Sequence, residues 1–171
     1  MDINQVALAF LEENGSDLPR ANHSLKVYGY AKAIAAGETL GSQEQQVLEA
    51  AALLHDIGIH EALRRYGHCQ GPAQEELGPP IVRRILTQLG WPEKQREQVA
   101  FLVGHHHSYQ TVGGGVPLQI LFEADLLVNA EEGSLSSESL ISLEKQVIRT
   151  SVGRELFSLL FGTAIKEKKT I

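Results

Sequence analysis

Cysteine is nearly absent from this sequence, since Cys69 is the only one among 171 residues. An intrachain disulfide framework is therefore excluded, and a reducing compartment fits. No apolar run approaches the roughly 20 residues of a membrane span, and the N-terminus lacks the basic start and long apolar core of a signal peptide. We therefore expect a cytoplasmic protein without a membrane partner.

Positive charge is also scarce, because 15 Lys and Arg residues stand against 21 Asp and Glu residues, for a net charge of −6. Proteins bind duplex nucleic acid with clustered Lys and Arg, so we expect no nucleic-acid partner. The glycine run at 113–115 lacks the following Lys-Ser/Thr of a P-loop. A small anionic substrate still fits, because a bound metal ion can outweigh the charge of the whole chain.

Helical periodicity dominates the chain, and no clear strand alternation interrupts it. With 43% hydrophobic residues in 171 positions, we expect one all-α domain over 1–171. The predicted helices cover 3–13, 20–36, 42–55, 60–65, 73–89, a segment from 92 up to the histidine run at 105–107, 117–129, about 138–149 and 152–166.

Three local features refine this prediction. Ser42 with Gln45 is typical of a capping box at a helix start. The pair Pro79-Pro80 should break or kink the helix over 73–89 near Gly78. The polar, serine-rich segment 131–139 indicates a surface loop.

The dipeptide His55-Asp56 is the most informative feature of the sequence. It ends the apolar run 50–54, and Gly58 follows closely. A charged pair directly after a buried helix face costs free energy unless something compensates it. A divalent cation is the strongest compensation, so the pattern predicts a metal site.

Other residues with metal-binding side chains lie beside apolar helix faces far along the chain. His23 opens one predicted helix, the run 105–107 closes another, and Asp125 lies inside a third between Ala124 and Leu126. Such distant residues meet only through folding, and helical bundle cores are where such sites are built. Nitrogen and carboxylate ligands without thiolate suit Fe, Mn, Co or Zn.

This ordered set resembles the HD-domain superfamily of metal-dependent phosphohydrolases, and it looks most like the small stand-alone bacterial members. The resemblance spans about 20–130. The matching stretches are His23-Ser-Leu-Lys-Val27, Leu54-His-Asp-Ile-Gly58, Val103-Gly-His-His-His107 and Glu123-Ala-Asp125. It implies a helical bundle in which His23, His55, Asp56 and Asp125 bind a metal ion. Some members bind a second ion, most hydrolyse phosphate esters of small molecules, and a few are iron oxygenases.

The sequence departs from the two-metal pattern of the family. Such members usually carry a histidine where this chain has Gln74, so Glu75 or Glu76 is a candidate replacement. His105 and His106 match the adjacent ligands of two-metal members. A helix turns about 100° per residue, so at most two of three consecutive histidines face one point. We therefore predict His105 and His106 as ligands, with one or two ions.

Three basic residues are candidates for contact with a substrate. His60 lies four residues after Asp56, Arg64 follows it on the same short helix, and Lys26 lies one turn after His23. Arg64 is suited to clamp a phosphate with two parallel hydrogen bonds. Each of the three is also compatible with a solvated surface position.

The function predicted from these residues is metal-assisted hydrolysis of a small-molecule phosphate ester, with Asp56 bridging if two ions are present. Two alternatives stay open at this point: a di-iron oxygenase acting on a small polyol or phosphonate, and a non-catalytic metal or nucleotide sensor. The sequence does not identify the substrate or the oligomeric state, although the last two helices offer a surface for a homodimer.

Overall fold

A computed structural model of the chain describes residues 1–109, 113–133 and 135–167, with side chains up to 162. Within these residues the chain forms nine helices and no strand, which confirms the predicted all-α class. The helices are α1 (Ile3–Asn14), α2 (Leu18–Ala35), α3 (Ser42–Leu54), α4 (Ile59–Tyr66), α5 (Gly71–Gln88), α6 (Glu93–Val103), α7 (Gly115–Glu132), α8 (Ser137–Val147) and α9 (Ser151–Glu167). None of them, over the described ranges, combines the length and hydropathy that crossing a bilayer requires.

The hydrophobic core is built around α3, which packs against α1, α2, α6 and α7. Every residue from 47 to 54 is buried, as a helix surrounded on all sides requires. The buried carboxylate of Glu49 is satisfied by Tyr28, whose hydroxyl donates at 3.3 Å, and by Gln45, whose amide donates at 3.0 Å. The helix therefore carries the His55-Asp56 pair into the interior of the bundle.

The helices that carry the predicted ligands are direct neighbours of one another. α2 packs against both α3 and α7, and α7 also packs against α3. The inward-facing positions of α7 are apolar apart from Glu123 and Asp125, so the carboxylate of Asp125 is delivered to the same interior region. This arrangement brings residues more than a hundred positions apart to one end of α3.

The predicted break near Gly78 is absent, because α5 is one continuous helix from Gly71 to Gln88 with the Pro-Pro pair inside it. An interior proline costs about 3 kcal/mol or more locally. Contacts with α4 and α6 offset this cost. At one of them, a Cβ added to Gly104 would lie 3.0 Å from Pro79 Cγ, so the proline ring packs closely against the glycine that ends α6.

Two predicted boundaries also differ from the structure. The start of α3 is capped one residue earlier than expected, because the backbone N–H of Gly41 donates to the Glu44 carboxylate at 3.0 Å. The predicted loop at 131–139 is shorter, since α7 extends to Glu132 and α8 begins at Ser137.

The turn after His55-Asp56 touches the backbone of α5 directly. A Cβ added to Gly58 would lie 2.8 Å from the Gly78 backbone nitrogen and 2.9 Å from the Gln74 carbonyl oxygen. The φ of Gly58 is −76°, so space, and not backbone conformation, requires glycine here. This contact holds the turn between α3 and α4 against α5.

We expect Gly58→Ala to lower the free energy of unfolding by about 1–3 kcal/mol, because two backbone segments must move apart. The matched control is Gly29→Ala in α2, where an added Cβ meets nothing within 4 Å. That variant should raise the free energy of unfolding by about 0.5–1 kcal/mol through better helix propensity. Urea denaturation measures both, and similar effects of the two variants would contradict the close contact.

Candidate metal centre

Four side chains from two helices and one turn converge at the end of α3: His23 from α2, Asp125 from α7, and His55 and Asp56 from the turn that follows α3. Nε2 of His23 lies 3.2 Å from Nε2 of His55 and 3.2 Å from Oδ1 of Asp125. Nε2 of His55 lies 3.6 Å from Oδ1 of Asp125 and 3.6 Å from Oδ2 of Asp56. We call these four residues the first ligand group. The sequence predicted each of them, and the structure brings all four together.

Three residues of the first ligand group are buried. His55 is 0% exposed, Asp125 3% and His23 8%, whereas the side chain of Asp56 is 16% exposed and lines a cavity. A buried carboxylate without a positive partner costs so much free energy that it normally takes up a proton. The nearby imidazoles provide one such partner, and a metal ion would provide a stronger one.

Hydrogen bonds to backbone carbonyls fix the orientation of two imidazoles. Nδ1 of His55 lies 2.9 Å from the Ala52 oxygen, and Nδ1 of His106 lies 2.7 Å from the Val103 oxygen. Carbonyls in the last turn of a helix lack intrahelical partners, so each can accept this proton. With the proton on Nδ1, the lone pair of Nε2 is free to bind a metal ion.

His23 is oriented by a carboxylate that the sequence analysis missed. Its Nδ1 lies 2.9 Å from Oε2 of Glu132, and Oε1 of Glu132 accepts from Nζ of Lys26 at 3.2 Å. Lys26 therefore lies behind His23 and contacts its supporting carboxylate. Glu132 follows Asp125 by seven residues, so both lie on one face of α7, and this spacing is the signal that could have found it.

The electrostatics of the cluster favour positive charge. Burial lowers the pKa of His55, but Asp56 and Asp125 outweigh this effect and raise it to about 9. Burial raises the pKa of Asp56, but His55 and His106 outweigh this and lower it to about 2. The pKa of Asp125 is also held below its ordinary range, because hydrogen bonds with His23 and His55 overcome the effect of burial. The cluster thus attracts protons or a cation.

A second ligand group shares Asp56 with the first and adds His106 and His107. One ligand atom from each of the three lies within 4.8 Å of the others. Nε2 of His106 lies 3.5 Å from Oδ1 of Asp56. The Nε2 atoms of His106 and His107 are both buried, and neither forms a hydrogen bond with the described residues. Buried nitrogens without a partner call for an explanation, and a bound cation fits them.

The structure corrects the prediction of His105 as a ligand. Nδ1 of His105 lies 2.8 Å from the Phe101 oxygen, its ring stacks on the Phe101 ring, and it belongs to neither ligand group of the described residues. The prediction assumed that 105–107 continue the helix, so that neighbouring side chains point about 100° apart and only two of the three imidazoles face one point. However, α6 ends at Val103, and 104–107 form a turn, so His106 and His107 lie near the same carboxylate.

Glu75 supports the histidine turn from outside the ligand groups. Its carboxylate accepts from the backbone N–H of His107 at 2.9 Å and from the Ser108 hydroxyl at 3.0 Å. Glu76 accepts from the hydroxyl of Tyr66 at 3.1 Å, and Gln74 is buried with its amide donating to the Cys69 oxygen at 2.7 Å. Over the described ranges, therefore, neither predicted carboxylate takes the place of the imidazole missing at Gln74.

His60 and Arg64 line a cavity whose wall also contains Asp56. Nε2 of His60 lies 3.1 Å from Oδ2 of Asp17, and Arg64 makes two hydrogen bonds to Glu61 at 2.7 and 2.6 Å. Both residues are thus placed beside the centre, and their contact with a substrate stays a prediction. Lys26 does not line this cavity; it lines a separate one with Glu132.

The donors of both ligand groups are imidazole nitrogens and carboxylate oxygens, and the thiol of Cys69 belongs to neither. These donors fit a divalent transition metal such as Fe, Mn, Co or Zn. The residues present therefore suit the cofactor expected from the sequence, and the identity of the metal stays open.

Comparison with known proteins gives a family match. The family model described as the HD domain matches residues 20–149, which contain every residue of both ligand groups. No curated protein and no solved structure matches the chain. The HD domain is an all-α fold whose superfamily is metal-dependent and hydrolase-like.

We expect His107→Ala to reduce the number of metal ions bound per chain, because it removes one imidazole of the second ligand group. His105→Ala is the matched control and should leave the metal content unchanged. Elemental analysis of each protein after loading with manganese and dialysis measures the difference. Loss of metal in His105→Ala with full content in His107→Ala would contradict the geometry.

We expect Glu132→Ala to weaken metal affinity about 10- to 100-fold, because His23 loses the carboxylate that orients it. Glu131→Ala is the control, since Glu131 also accepts from Lys26, at 3.0 Å, but makes no hydrogen bond to His23. Calorimetric titration with manganese measures both affinities. If the two variants bind manganese equally well, Glu132 does not support the centre.

Proposed function

The chain belongs to the HD-domain family, and from this premise we propose that it is a metal-dependent phosphohydrolase acting on a phosphate ester of a nucleotide or another small molecule. The observation that carries the proposal is the convergence of His23, His55, Asp56 and Asp125. The Nε2 atoms of the two histidines lie 3.2 Å apart, and each lies 3.2 to 3.7 Å from a carboxylate oxygen of both aspartates. A divalent cation held by these residues would supply an activated water and neutralise phosphoryl oxygens.

We propose two cation positions, with Asp56 shared between them. Oδ2 of Asp56 faces His23 and His55 at 3.7 and 3.6 Å, while Oδ1 faces His106 at 3.5 Å. One carboxylate oxygen therefore belongs to each ligand group. The pKa of His107 is lowered by burial and by its neighbour His106, which keeps its imidazole neutral and able to act as a ligand near neutral pH.

In this proposal, His60 and Arg64 contact the phosphate ester of the substrate. Both line the cavity next to Asp56. Their carboxylate partners, Asp17 and Glu61, hold the side chains in place, and a guanidinium suits a phosphate oxygen pair. Lys26 acts indirectly in this scheme, because it holds the carboxylate of Glu132 that orients His23.

The test is phosphate release from a panel of aryl phosphates, nucleotides and sugar phosphates, each with manganese, iron(II), cobalt or zinc. Wild-type protein should release phosphate. His55→Ala and Asp56→Ala should lose both metal content and turnover, because each removes a ligand of the first group. His68→Ala is the control, since His68 is exposed and belongs to neither ligand group.

Retained turnover in His55→Ala or Asp56→Ala would overturn the proposal. Oxygen consumption with iron(II) and a polyol or phosphonate, without phosphate-ester cleavage, would favour the oxygenase alternative. Metal binding without either reaction would favour a sensor.

A further inference from the structure

A cavity of about 390 Å³ lies between α1, α2, α4 and α5, with Asp56 in its wall. This size is within the range of small-molecule sites in proteins. Because Asp56 belongs to both ligand groups, a phosphate ester bound at the metal centre can extend its organic part into this space. We call it the arginine-lined cavity.

One wall of the arginine-lined cavity is apolar. Pro80 is exposed and Ile81 is partly buried, so these two residues present apolar surface to the cavity. Phe10, Ile57 and Leu77 also line it, but their side chains are almost fully buried and pack behind that surface. Covering such a surface removes apolar area from water and so favours binding. A small polyol phosphate would leave this wall uncovered, whereas a bulky apolar group would cover it.

The rim of the cavity is rich in arginine. Four of the eight arginines in the chain line it, namely Arg20, Arg64, Arg65 and Arg84, whereas none of the lysines up to residue 162 does. Arginine is the side chain suited to two-point recognition of phosphate and carboxylate groups. This concentration is notable in a chain whose net charge is −6.

The arginines outnumber the carboxylates that line the cavity, which are Glu13, Glu61 and Asp56. A cation at the metal centre would neutralise Asp56, which leaves the cavity with an excess of positive charge. Arg84 extends from α5 and donates from Nη2 to Glu13 at 2.7 Å. A guanidinium has further N–H groups beyond that bond, so Arg84 can bind an anion while Glu13 holds it in place.

Ser24 gives a second indication of a ligand. Its hydroxyl lines the cavity, the residue is 1% exposed, and the oxygen has no hydrogen-bond partner in the described part of the chain. Buried polar atoms are almost always paired. A substrate in the cavity would provide the missing hydrogen-bond partner for this hydroxyl.

We propose that the arginine-lined cavity binds the organic part of the substrate, and that this substrate is a phosphate ester with both a bulky apolar group and a second anionic group. The apolar wall takes the apolar group, and Arg84 binds the second anion. This inference rests on the proposed function for the position of the phosphate at the metal centre, and it narrows the substrate class.

Four phosphonates test the proposal, because their C–P bonds resist hydrolysis and binding can be measured without turnover. Methylphosphonate has neither extra group, benzylphosphonate adds the apolar ring, and 1,4-xylylenediphosphonate adds a second anion; its biphenyl homologue covers a longer span. Calorimetry on manganese-loaded full-length protein should give affinities that rise from methylphosphonate to benzylphosphonate and from benzylphosphonate to at least one of the two diphosphonates. Each added group should contribute roughly tenfold or more.

Arg84→Gln should remove most of the advantage of the diphosphonates over benzylphosphonate, a loss of roughly tenfold or more, and leave methylphosphonate binding unchanged. Arg83→Gln is the matched control, because Arg83 is its neighbour on α5 but pairs with Glu97 at 2.8 Å and does not line the cavity. Ile81→Ala should reduce the advantage of benzylphosphonate over methylphosphonate.

Equal affinities for mono- and diphosphonates of both lengths would overturn the second anion site. Equal losses of diphosphonate affinity in Arg84→Gln and Arg83→Gln would show that Arg84 is not part of the second anion site. Equal affinities for methyl- and benzylphosphonate would overturn the apolar subsite. Failure of the proposed function gives a different result. In that case the protein releases no phosphate from any ester, while the affinities for the phosphonates still rise in the expected order.

Discussion

The carboxylate of Asp125 lies 3.2 and 3.6 Å from two imidazole nitrogens in a part of the protein that water hardly reaches. Negative charge in such surroundings must be balanced locally, and removing one partner of a buried charged pair costs about 3–5 kcal/mol. This requirement links the helices that meet at the end of α3, because the carboxylates and imidazoles that neutralise one another come from different helices. The same balance makes the cluster a strong attractor for a cation.

Backbone groups at the ends of helices fix the orientation of two imidazole rings in the metal centre. His55 and His106 each follow a helix and return a hydrogen bond to a carbonyl three residues earlier. In this way the unpaired backbone groups of two helix ends fix two imidazole orientations without any additional side chain. His23 differs, because the side-chain carboxylate of Glu132, at the last position of α7, orients it. The fold therefore orients two of its imidazoles with backbone groups that every helix terminus leaves available, and the third with a side chain.

The sequence was sufficient to predict the all-α class, most of the helices and the convergence of His23, His55, Asp56 and Asp125. An apolar run that ends in His-Asp predicts a compensating partner, because burying a charged pair alone costs free energy. The second ligand group was predicted less well. Whether His105 or His107 joins His106 depends on the residue at which α6 ends, and a shift of one or two residues changes which imidazole faces Asp56. Of the arginines that line the cavity, the sequence indicated only Arg64 as a candidate for contact with a substrate. That Arg20 and Arg84 line the same cavity was not predictable, because the three residues lie on α2, α4 and α5 and only tertiary packing brings them together.

The Pro-Pro pair inside α5 also affects how this helix responds to force. Neither proline has an N–H, so the carbonyl oxygens of Glu75 and Glu76 have no backbone donor four residues later. The half of α5 that supports the histidine turn and the half that carries Arg84 are thus joined by fewer hydrogen bonds than any other two turns of the helix. Two missing hydrogen bonds lower the local resistance of the helix to bending. A bend at this point would change the spacing between the histidine turn and Arg84.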